Sequence, residues 1–147
     1  MSSLFRTNLQ FSPYPSQICD TYLLSIRQCG IIVVVKIVYT RLYERKVSET
    51  LTLMEREVIE TAIANNPKLY PVIPGTGGIR KARAARGNKG KRGGARVAFY
   101  FWQVESTIFM LTALAKNEQE DLTNDEKQQL KALVALLKEH AKEQKHD

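Results

Sequence analysis

The chain has 147 residues, 44% of them hydrophobic and 25% charged, which fits one globular domain with a modest core. Its 22 Lys and Arg outnumber 15 Asp and Glu to give a net charge of +7, so anionic partners are expected. Neither Cys19 nor Cys29 sits in a CxxC pair, which argues against a zinc site, and the longest apolar run, Gly30–Val35, is too short to span a bilayer.

Residues 1–32 show no clear period and carry Pro13 and Pro15 close together. They read as an N-terminal extension, whether a disordered arm, a short docking segment or the product of an early start codon, ahead of a domain at 33–147. Translation from a valine codon near Val33–Val35 would account for them. An intact native peptide spanning residues 1–30 would reject that idea.

Regular patterning begins with "IIVVVKIVYT", whose β-branched run predicts a buried strand over Val33–Tyr39. A helix over Arg41–Glu49 follows, with Leu42 and Val47 inward. Thr52 and Glu55 fit a capping box, in which each side chain reaches the other residue's backbone N–H. The helix it opens reaches about Ala64, with Met54, Val58 and Ala62 sharing one face. Asn65–Pro67 ends it, because proline cannot continue a helix.

Val72–Arg96 reads "VIPGTGGIRKARAARGNKGKRGGAR", with seven glycines, eight bases and no acid. Residues 80–96 hold those eight bases, and outside them 14 bases face 15 acids, so the positive excess belongs to this one segment. It divides into a turn at Pro74–Gly78, a second strand in "GIRKARAA" and a loose hairpin loop at Gly87–Gly94. "ARVAFYFWQV" then alternates, with Val97, Phe99 and Phe101 on one face and Arg96, Ala98, Tyr100 and Trp102 on the other. A tight connection at Glu105–Ser106 leads to "TIFMLTALA", apolar on both faces as a central strand would be. Thr123 and Glu126 form a second capping box, and Leu130, Leu133, Val134 and Leu137 stripe the final helix. The order β-α-α-β-β-β-α, with three consecutive strands on short connections, indicates an antiparallel sheet in an α+β fold.

Gly75–Lys81 is a poor phosphate loop. No glycine precedes Lys81, Ala82 stands where Ser or Thr is needed, and a strand rather than a helix follows. A nucleic-acid surface fits better, since the charge runs on from the loop into both strands at Lys81, Arg83 and Arg96. Arg96 shares its face with Tyr100 and Trp102, and aromatic rings can stack on unpaired bases. His140 and His146, the only histidines, lie in the last helix and tail and read as solvent-exposed, so a two-histidine ribonuclease is not available. Nothing in the chain calls for a metal or cofactor. Arg and Lys remain, and they can stabilise the charge of a phosphorane-like transition state. Lys81, crowded by Arg80 and Arg83, could then move a proton. From the residues alone, an enzyme and a binding module both stay open.

"VIPGTGGIRKARAARGNKGKRGGARVAFYFW", followed by "LTALAKNEQEDLTNDEKQQLKALVALLKE", resembles the RelE/HigB group of toxins from bacterial type II toxin–antitoxin modules, most of all its HigB-like branch. The resemblance covers Val35–Lys138. It implies a RelE-like microbial ribonuclease fold, two N-terminal helices on a twisted antiparallel sheet with a C-terminal helix. It also implies cutting of mRNA in the ribosomal A site, without metal, by attack of the RNA 2′-OH. By motif position, catalysis falls to Lys81, Arg83 and Arg96, with Lys116 supplying a charge and Tyr100 a ring where family members carry other residues. The acid that protonates the leaving 5′-oxygen has no assigned residue. Arg80, Arg86, Lys89, Lys91 and Arg92 are the expected RNA and ribosome contacts. The implied partners are mRNA on the ribosome and an antitoxin with a helix-turn-helix, operator DNA being reached only through that antitoxin. No membrane partner is expected, and the cytoplasm is the compartment. The alternatives are a toxin of similar fold acting on a protein such as gyrase, and a non-catalytic RNA-binding module.

Overall fold

The computed structural model of the chain describes residues 4–8, 18–28, 31–85, 94–115 and 121–143. Six strands form one sheet: β1 (Leu4–Asn8), β2 (Ile18–Gln28), β3 (Ile31–Thr40), β4 (Ile79–Ala84), β5 (Ala95–Trp102) and β6 (Thr107–Ala115). Among the described residues three α-helices pack on it: α1 (Arg41–Thr50), α2 (Leu53–Asn65) and α3 (Asn124–Glu143). The strand order is β1-β2-β3-β6-β5-β4.

The α+β class and the order of elements from β3 onward are as expected. The sheet is not wholly antiparallel, however. β4–β5–β6 form the expected antiparallel meander, but β6 lies parallel to β3. The chain leaves β3 through α1 and α2, starts again at the far edge with β4, and works back to the centre. β6 therefore sits between β3 and β5, and all nine of its residues are buried, which explains a run apolar on both faces. The β5–β6 connection turns at Ser106, whose φ of 47° is left-handed, and its carbonyl accepts the Lys36 N–H at 3.0 Å, tying β6 to β3.

The N-terminal stretch is not simply an arm. Leu4–Asn8 and Ile18–Gln28 are strands, and β2 pairs antiparallel with β3 along its length. That hairpin covers an edge of β3 that would otherwise present unpaired backbone groups.

α1 and α2 cover one face of the sheet, over Ile37, Tyr39, Val97, Phe99, Ile108 and Met110. α3 covers the other, over Val38, Ile79, Trp102, Phe109 and Leu111. Thr40 caps α1, accepting the Tyr43 N–H at 3.1 Å, and Thr52 caps α2, accepting the Glu55 N–H at 3.2 Å. The capping box at α3 is complete, with Thr123 N–H donating to Glu126 and Glu126 N–H to the Thr123 hydroxyl.

Two helix faces differ from expectation. Met54 and Val58 are 77% and 66% exposed, while Ile59, Ile63 and Ala64 form the buried face of α2. Leu42 turns toward the α3 side, so Tyr43 joins Val47 as the inward residue of α1. Both are set by Glu60, which is only 1% exposed and accepts hydrogen bonds from Tyr39 (3.1 Å), Tyr43 (2.8 Å) and Arg56 Nε (2.6 Å). A buried carboxylate is tolerated only when so satisfied, and that requirement fixes the phase of α2 over the apolar stripe.

Candidate functional site

The site is built on β4 and β5, and their register decides who meets whom. Arg83 stands directly opposite Arg96, Lys81 opposite Ala98 and Ile79 opposite Tyr100. Directly opposed residues share a face, so Lys81, Arg83, Arg96 and Tyr100 lie on the α3 side of the sheet. Arg80 does not join them. It lies on the α1–α2 side, where its guanidinium donates to the carbonyls of Lys68 and Tyr70 at 3.3 and 2.6 Å. Arg80 thus ties β4 to the segment after α2, and it does not crowd Lys81.

Several devices fix the strand that carries Lys81. The Ile73 N–H donates to the Ile79 carbonyl at 2.7 Å, and the Lys81 N–H to the Pro71 carbonyl at 3.0 Å, so residues 71–73 pair along the outer edge of β4. The buried Thr76 hydroxyl accepts the Ile79 N–H at 3.2 Å and donates to the Ile73 carbonyl at 2.6 Å. Gly78 has φ +117°, and a Cβ there would lie 3.2 Å from the Tyr100 ring. Glycine is what lets this turn close on Tyr100.

The charges are unevenly matched. Arg83 and Arg96 face each other as like charges, an arrangement that costs stability. Arg96 Nε is buried and has no hydrogen-bond partner among the described residues. Lys81 Nζ meets an acid, Asp121 Oδ1, at 3.3 Å. Burial works against the Asp121 charge, but the Leu122 N–H and Lys81 outweigh it and hold the carboxyl below the usual carboxylate range. Tyr100 Oη accepts from Lys138 Nζ at 3.0 Å, and that ammonium also lies 5.1 Å from the Tyr100 ring centre.

The aromatic surface is narrower than the alternation suggested. Trp102 is 8% exposed and stacks on Phe109 within the core under α3, so it offers no face to a base. Tyr100 is the half-buried ring that remains. His140 is half-buried on α3, with Nδ1 at 4.0 Å from Glu143, rather than fully exposed. Arg86, Lys89, Lys91, Arg92, Lys116 and His146 lie outside the described residues.

α3 adds what sequence reasoning missed. Lys138 lies against Tyr100, the Lys131 side chain lies against Gly77, and Lys127 acts on Asp121. Positions 127, 131 and 138 follow a helical period, so the stripe was legible, though its destination was not. Asp121 belongs to the "EDLT" stretch that had no role assigned.

A second polar cluster lies under α1 and α2. Arg56 joins Glu60 to Glu44, donating to both Glu44 oxygens at 2.8 and 2.6 Å, and stacks over the Tyr39 and Tyr43 rings at 5.2 and 5.3 Å. Burial, with Glu60 beside it, pushes the Tyr43 hydroxyl well up. This network ties α1, α2 and β3 together. The β4–β5 face is open, with opposed cations, and suits a polyanion.

Residues 35–146 match the family described as the RelE toxin of the RelE/RelB toxin–antitoxin system. The match begins at the residue where the sequence resemblance begins. It takes in β3 from Val35 onward, then α1, α2, β4, β5, β6 and α3, and it leaves the β1–β2 hairpin outside.

Proposed function

Because the chain belongs to the RelE toxin family, and so is the toxin member of a toxin–antitoxin pair, we propose that it is a ribosome-dependent mRNA endonuclease of the HigB-like branch. The observation that carries this is the direct opposition of Arg83 and Arg96, with Lys81 and Tyr100 on the same face. Two guanidinium groups held against their own repulsion suit an anion that lies between them.

The reaction needs no group beyond RNA and side chains. The RNA 2′-hydroxyl loses its proton as its oxygen attacks the adjacent phosphorus, the bond to the 5′-oxygen breaks and that oxygen takes up a proton, leaving a 2′,3′-cyclic phosphate and a 5′-hydroxyl. Charge builds on the phosphoryl oxygens during attack. Arg83 and Arg96, fixed on paired strands, stabilise it without reorganising, and Lys81 contributes from two residues away. Tyr100, braced by Lys138, lies beside them to position a base or ribose. Lys116 supplies a further charge for catalysis, Arg86, Lys89, Lys91 and Arg92 contact the RNA and the ribosome, and the ribosome supplies the mRNA in extended form. An antitoxin carrying a helix-turn-helix neutralises the toxin and carries it to operator DNA.

Toeprinting or RNA sequencing on translating ribosomes tests the reading. Cuts within codons are expected, and Lys81→Ala and Arg96→Ala should abolish them while keeping the wild-type circular dichroism spectrum. If both variants cut at the wild-type rate, the site is wrong. Intact mRNA with DNA damage would point instead to a gyrase-type target. Salt-sensitive RNA binding without cleavage or toxicity would point to a binding module.

A further inference from the structure

Asp121 has no part in that reaction, yet it sits within the site. Its Oδ1 takes both the Lys81 ammonium at 3.3 Å and the Leu122 N–H at 3.1 Å. The two side chains are 26% and 53% exposed, so the ion pair is exchangeable and holds its partners by no more than about fivefold. The backbone bond is better anchored, because Leu122 is buried in the core under α3. Asp121 therefore keeps its place when Lys81 leaves it.

We propose that Asp121 occupies the position of a substrate phosphate oxygen on Lys81, and that the RNA backbone must displace it to bind. The proposal rests on Lys81 being an RNA contact. One ammonium cannot serve a tethered carboxylate and a phosphate on the same side without the two anions repelling each other. An isolated phosphate gains only the Lys81 contact and competes poorly with a carboxylate already in place. A phosphodiester chain held at the same time by Arg83 and Arg96 competes well, because its local concentration at Lys81 is high. Asp121 thus selects polyanionic chains over single phosphates and keeps Lys81 charge-matched in the free protein.

The test is equilibrium binding of a short 2′-O-methyl RNA, which cannot be cleaved, to the full chain over a series of salt concentrations. Asp121→Asn keeps an acceptor for the Leu122 N–H, and Asp121→Ser keeps a shorter one. Either should bind RNA more tightly, by up to about fivefold. Either should also steepen the slope of log K against log salt by about 0.7, the value for one further neutralised phosphate on a single strand. In a Lys81→Met background, Asp121→Asn should lose most of the gain in affinity and of the added slope. Unchanged or weaker binding by both Asp121 variants, or the same gain with Lys81 absent, overturns the inference while leaving the endonuclease reading intact. Failure of the wild-type chain to bind this RNA at any salt also overturns the inference, while the endonuclease reading stands or falls on cleavage by translating ribosomes.

Discussion

Arg96→Met should make the free protein more stable while removing its function. Methionine keeps the length and apolar stem of arginine but removes the guanidinium. Arg96 stands directly opposite Arg83, and relieving a like-charge cross-strand pair returns about 0.2–1 kcal/mol. Arg96 Nε is also a buried donor with no partner among the described residues, and leaving such a donor unsatisfied costs about 1–3 kcal/mol. The rest of the guanidinium is partly solvated, so the lower end applies. The expected net gain is about 1 kcal/mol, or a rise in Tm of about 2–4 °C for a chain of this size. Thermal melts by circular dichroism at low and high salt would measure it, and the repulsive part should shrink as salt screens it. A saturating non-cleavable RNA should raise the wild-type Tm, since about 100 Kd of ligand adds about 2.7 kcal/mol. The variant should show little of that rise. A variant that melts 2 °C or more below wild type, or that is stabilised by RNA as fully as wild type, would refute the view that Arg96 is held under repulsion for the sake of an anion.

Glu60→Ala should cost about 2–5 kcal/mol, because the buried hydroxyls of Tyr39 and Tyr43 lose their acceptor. Urea unfolding would read this as a lower midpoint, and a loss under 1 kcal/mol would mean the network is not structural. On α2, Ile63→Ala should cost about 2–5 kcal/mol. Val58→Lys, on the face the apolar spacing had favoured, should stay within about 0.5 kcal/mol of wild type. Equal effects at the two positions would reverse the assignment of that helix's faces.

Local chemistry was readable along the chain. The β-branched run of β3, the alternation of β5 and the two-sided apolar run of β6 determined those strands, because side-chain period and burial are properties of a short stretch. The Thr123–Glu126 box determined where α3 starts, since capping is settled within one turn. The basic segment pointed to a polyanion, and alternation placed Lys81 and Arg83 together on one strand and Arg96 with Tyr100 on the next. Tertiary structure decided what depends on pairing across distance. β6 joined β3 in parallel because the crossover through α1 and α2 returned the chain to the far edge, and strand order is not written in any one strand. In the N-terminal stretch, no period marked β1 and β2; β2 took its shape from pairing with β3, and β1 from pairing with β2. α2 was apolar on several sides, so the buried Glu60 carboxylate, bound by Tyr39, Tyr43 and Arg56, chose which side faced inward. Strand register set Arg83 against Arg96, the packing of α3 brought Asp121 to Lys81 and Lys138 to Tyr100, and burial of Trp102 left Tyr100 as the half-buried ring beside those cations. Residue types determined the chemistry that the chain carries, while the distances between residues far apart in sequence decided which of those charges meet.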